Sequence, residues 1–96
     1  MESQAKELFR LAILRVLDTN RTRFGMGTVA IAHHLAAFSF TASNFASPKA
    51  YHDEIADALQ YLEDKKLIEE ALRVVSRENR SWRITTDGIA FLDSNP

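Results

Sequence analysis

Ninety-six residues suffice for one domain with a single core and little surplus stability. Apolar residues make up 46% and charged residues 26%, a balance that excludes a disordered chain, and no apolar run approaches the roughly 18–20 residues of a membrane helix. There is no cysteine, which excludes disulfides and thiolate metal sites, and a net charge of −1 gives no global basic signature.

The segment Met1–Glu7 is polar and mixed in charge, without a secretory pattern, so the expected location is the cytoplasm. Charge is unevenly spread. Residues 1–24 carry five basic groups against three acidic, and residues 25–46 carry none. Residues 47–72 carry three basic against seven acidic, and residues 73–96 four against three. A single domain over residues 1–96 is expected, with basic charge at its front loop and final hairpin and acidic charge on a central helix.

Residues 3–18 read as a first helix, with a wide apolar stripe from Leu8, Leu11, Ala12, Ile13, Leu14, Val16 and Leu17. Asp18-Thr19-Asn20 is a stop signal. The stretch from Arg21 to Gly27 reads as a loop or short extended piece in which glycine permits a bend. Thr28 is positioned to cap a second helix over residues 28–38. Ser39–Ala46 is a polar and aromatic connector whose phenylalanines are expected to bury.

Ser47-Pro48 is a strong helix start, an N-cap serine before a first-turn proline. The third helix is expected over residues 48–65, with Tyr51, Ile55, Ala58, Leu59 and Leu62 on one face. The period then changes to two. Leu72 and Val74 alternate with Arg73 and Val75, and Trp82 and Ile84 share a face across the polar tip Arg77-Glu78-Asn79-Arg80. A hairpin over residues 68–85 follows. Thr86 is placed to cap a closing helix over residues 86–93, in which Phe91, like Trp82, is expected to join the core.

The fold class is therefore mainly α with a β-hairpin. Its order, with Ala58-Leu59-Gln60-Tyr61-Leu62-Glu63-Asp64-Lys65-Lys66-Leu67-Ile68 entering the hairpin and Trp82-Arg83-Ile84-Thr85-Thr86-Asp87-Gly88-Ile89-Ala90-Phe91-Leu92 leaving it, resembles the winged helix-turn-helix proteins. The likeness is broadly to the MarR, PadR and ArsR regulator families, and the size and long connector resemble small winged-helix proteins of Mu-like prophages. The chain departs from those families at Lys66, where glycine is common, in the length of its 39–46 connector, and in lacking long extra dimerisation helices. The resemblance implies a three-helix core, a wing, a short C-terminal helix and a DNA-binding function in transcription regulation, without an enzyme activity or cofactor.

In such a domain the third helix enters the major groove and the wing meets phosphates. The expected outward face of that helix is Lys49, His52, Asp53, Glu54, Asp57 and Gln60. Ser47, Lys49 and His52 are candidates for phosphate or base contact, whereas the three carboxylates would be repelled by a polyanion. Arg73, Arg77, Asn79, Arg80 and Arg83 make the wing the stronger candidate, and Arg21 and Arg23 extend the same surface. The expected partner is double-stranded DNA, bound by a homodimer formed through the first and closing helices. The alternative is a protein-interaction module that docks its acidic third helix on a basic partner without binding DNA. His33-His34 and His52 invite a metal reading, but adjacent helical histidines diverge by about 100°, and no metal is expected.

Overall fold

The structure is a computed structural model and describes residues 3–21, 24–71 and 80–95. Helices predominate. In chain order the elements are α1 (Ser3–Thr19), β1 (Met26–Gly27), α2 (Thr28–Leu35), α3 (Pro48–Asp64), β2 (Ile68–Glu70), β3 (Ser81–Ile84) and α4 (Thr86–Ser94), with two short 3-10 turns, Ala36–Phe38 and Ala42–Asn44, between α2 and α3. The helices α1, α2 and α3 pack on one another, and α1 also carries β3 and α4.

α1 runs one residue beyond its expected end and buries Phe9, Ala12, Ile13, Leu14, Val16 and Leu17. Leu8 does not join this stripe and is 55% exposed. The inward position of that turn belongs to Phe9, whose ring meets Phe40 edge-on at 5.0 Å and Phe45 at 5.8 Å. The connector is thus drawn inward by its aromatics, as expected. Thr41 and Asn44 satisfy each other's backbone N–H groups in a capping box. Phe45 stacks on Tyr51 at 4.9 Å, and the Tyr51 hydroxyl faces the carbonyls of Ala32 at 3.1 Å and Phe40 at 3.3 Å.

α2 is shorter than the expected span. The α-helix ends at Leu35, tightens into the 3-10 turn, and stops at Ser39 in a left-handed conformation. That turn brings Phe40 back, its N–H donating to the Leu35 carbonyl at 3.2 Å. Thr28 is not the cap. Gly27, the last residue of β1, holds that position and has no side chain with which to cap the helix.

α3 starts where the sequence places it. Ser47 Oγ accepts from Ala50 N at 3.1 Å and Pro48 opens the first turn. Tyr51, Ile55, Ala58, Leu59 and Leu62 are buried. The helix closes at Asp64, with Lys65 as its cap and Lys66 left-handed at φ 62°. The Lys66 and Leu67 amides donate back to Glu63 and Leu62 carbonyls at 2.9 and 3.0 Å, so lysine fills the place that glycine favours in this type of helix end.

Among the described residues the sheet has three antiparallel strands in the order β1-β3-β2. Met26 pairs with Trp82, Ile68 with Ile84, and Glu69 with Arg83. Met26, Ile68, Trp82 and Ile84 are buried and Arg83 is exposed, which is the alternation expected of the hairpin. Its 72–79 segment, with Leu72 and Val74, lies outside the described residues.

Thr85, one residue earlier than expected, caps α4: its Oγ accepts from Gly88 N at 3.0 Å and its hydroxyl donates to the Lys66 carbonyl at 2.8 Å. The second bond accounts for the shift, since Thr85 ties the helix start to the end of α3. Phe91 is not in the core but 41% exposed, while Ile89 and Leu92 carry the packing of α4.

Candidate nucleic-acid interface

The N-terminal half of α3 places Lys49, His52 and Asp53 at the surface, with Gln60 two turns on. Lys49 Nζ lies 2.7 Å from Asp53 Oδ2, one helical turn away. The Asp53 carboxylate holds the Lys49 ammonium above its ordinary pKa, first through the hydrogen bond and then through charge. Gln60 donates to Asp64 at 2.9 Å. Ser47 is engaged as the helix cap, as described above.

Of the three carboxylates, Asp53 and Asp57 are exposed and Glu54 is half-buried. Glu54 and Asp57 line a shallow cleft with Lys6, Phe9 and Arg10 of α1. Successive helical positions turn by about 100°, so 49, 53, 57 and 60 lie opposite the buried face, while 50, 54 and 61 form the edge beside α1. Asp53, already matched by Lys49, and the exposed Asp57 both stand on that outward stripe.

The sheet borders the other edge of α3. Arg80, two-thirds buried, donates from Nε to Glu70 at 2.5 Å and approaches Glu63 of α3 at 3.5 Å, with its guanidinium 4.3 Å over the Trp82 ring. Arg83 Nε donates to its cross-strand partner Glu69 at 2.8 Å. Arg21 pairs with Asp18. Every described arginine and lysine among the candidate contacts therefore faces a carboxylate. Exposed pairs of this kind hold by only about 0–1 kcal/mol, so they give way to a competing anion, but they cancel much of the field the arginines would project. Arg23, Arg73, Arg77 and Asn79 lie outside the described residues.

Sequence reasoning missed Glu69 and Glu70, although the alternation of a hairpin already sets Glu69 opposite Arg83. It also missed Arg10, whose guanidinium sits 3.6 Å over the Tyr61 ring, a contact between α1 and α3 with no local signal. The His33 and His34 rings stand edge-on with centroids 5.5 Å apart, and among the described residues no three metal-ligating side chains gather. No helix among the described residues is long and apolar enough to cross a membrane. Compared with protein-family models, curated proteins and solved structures, the chain matches none.

Proposed function

We propose that this chain is a winged helix-turn-helix domain that binds double-stranded DNA and regulates by occupying its site. The observation that carries the reading is the setting of α3. Its outward stripe is exposed at the N-terminal end, flanked by the sheet on one side, with Glu54 turned to the other edge beside α1. The helix order and the β1-β3-β2 sheet fit the same architecture. In this reading Lys49 and His52 approach the major groove, Gln60 is within the same stripe, and the hairpin tip runs along phosphates. Affinity comes chiefly from phosphate contact and falls steeply with salt.

The alternative, an acidic α3 docking a basic partner, has Asp57 exposed on the same stripe, but Asp53 is already paired with Lys49 and Glu54 is half-buried beside α1.

Fluorescence anisotropy on duplex DNA at several salt concentrations tests the proposal. Lys49→Ala and Arg77→Ala should each weaken binding by about three- to tenfold and lower the salt slope by about one. Binding indifferent to salt and to both substitutions would remove the DNA reading.

A further inference from the structure

At the far end of α3 from its capped start, a groove of about 480 Å³ opens between α1, the last turn of α3 and α4. Its floor is apolar, from Leu11 and Leu14 on α1, Leu62 on α3, and Leu67. Tyr61 and Phe91 form its walls and are 39% and 41% exposed. Two of the exposed large hydrophobic residues thus meet at one groove, which is how a contact surface differs from singly scattered apolar residues.

The rim is cationic in a particular way. Arg10 stacks 3.6 Å over the Tyr61 ring and Lys65 stands 5.6 Å from the same ring. Neither forms an ion pair with a described carboxylate, in contrast to Arg21, Lys49, Arg80 and Arg83. An aromatic ring orients a cation without neutralising it. Glu7 is the one acid that lines the groove itself, against two cations, while Glu54 and Asp57 border Arg10 from the neighbouring cleft, away from the trough.

We propose that this groove docks an acidic amphipathic helix of a partner protein. Leucine-like side chains at helical spacing would fill the trough, and carboxylates flanking that stripe would meet Arg10 and Lys65. A second copy of this chain fits less well. In a twofold contact the same patch faces itself, and two cations to one carboxylate leave an unmatched positive charge on each copy. The proposal stands apart from DNA binding, which uses the opposite end of α3.

The probe is a capped synthetic helix with leucines at i, i+3, i+7 and i+10 flanked by glutamates, set against a control in which each glutamate is lysine. Fluorescence anisotropy should show the acidic helix binding about tenfold more tightly than the control, the worth of two partly screened charge contacts. Arg10→Gln combined with Lys65→Gln should erase that preference, with circular dichroism unchanged. Phe91→Ala should weaken both peptides alike, and amide shifts on binding should fall on α1, the end of α3 and α4. Equal affinity for the two peptides, no binding by either, or sedimentation equilibrium showing a dimer that Phe91→Ala dissolves would each overturn the proposal.

Discussion

Lys66 occupies the left-handed position that ends α3, at φ 62°, and a side chain there brings Cβ too near its own carbonyl. The helix end nevertheless forms, because the Lys66 and Leu67 amides close it. Lys66→Gly should therefore raise stability by about 0.5–1 kcal/mol, the relief of the left-handed strain less the extra freedom glycine gives the unfolded chain. A shift of the urea midpoint at constant slope would register it, and a lower midpoint would show that the lysine side chain contributes more than the strain costs. Gly88 presents the reverse case. Alanine favours a helix over glycine by about 1 kcal/mol. A Cβ at Gly88, however, would fall 2.2 Å from the Leu67 carbonyl oxygen and 2.6 Å from Ile84 Cγ1. The first contact is with backbone and cannot yield without moving α4 off the end of α3. Gly88→Ala should destabilise by about 2–4 kcal/mol on chemical denaturation, the clash outweighing the helix propensity.

Among the elements, the hairpin shows what alternation reveals and what it hides. Trp82 and Ile84 inward and Arg83 outward are legible from a period of two, and so is the apolar face of α3 from its spacing. The two-residue strand β1 is not, because it has no periodicity and exists only by pairing with β3. Phe91 misleads for a related reason. On α4 the packed positions are Ile89 and Leu92, and composition alone does not orient so short a helix. The basic character of the hairpin is likewise overstated by its composition, since Glu69 and Glu70 lie against Arg83 and Arg80. Glu69→Gln with Glu70→Gln keeps the hydrogen-bonding shape while releasing two positive charges. At low salt the double variant should bind duplex DNA about tenfold more tightly, with a stability loss of about 1–2 kcal/mol. Unchanged affinity would place the sheet away from the DNA.

Across the whole molecule, the core is far more legible than the candidate site. Burial follows local spacing in α1 and α3, so sequence finds it. Which groups meet the edges of α3, Arg10 over Tyr61 and Arg80 near Glu63, depends on how α1 and the sheet pack against it, a tertiary quantity that leaves no mark on the order of residues. The same holds for the groove at the other end, whose Arg10, Tyr61, Lys65 and Phe91 come from three helices. The central place of β3 carries one more consequence. Its pairing of Trp82 with Met26 links residues far apart in the chain, and among the described residues β2 has no other neighbour in the sheet. Closing so long a loop is entropically costly and is rewarded only once β3 docks. During synthesis the three helices α1, α2 and α3 emerge with most of their mutual contacts available, while the sheet waits for β3. Until then, the side of α1 that receives β3 is bare, and it is there that a nascent or truncated chain would stick to its neighbours.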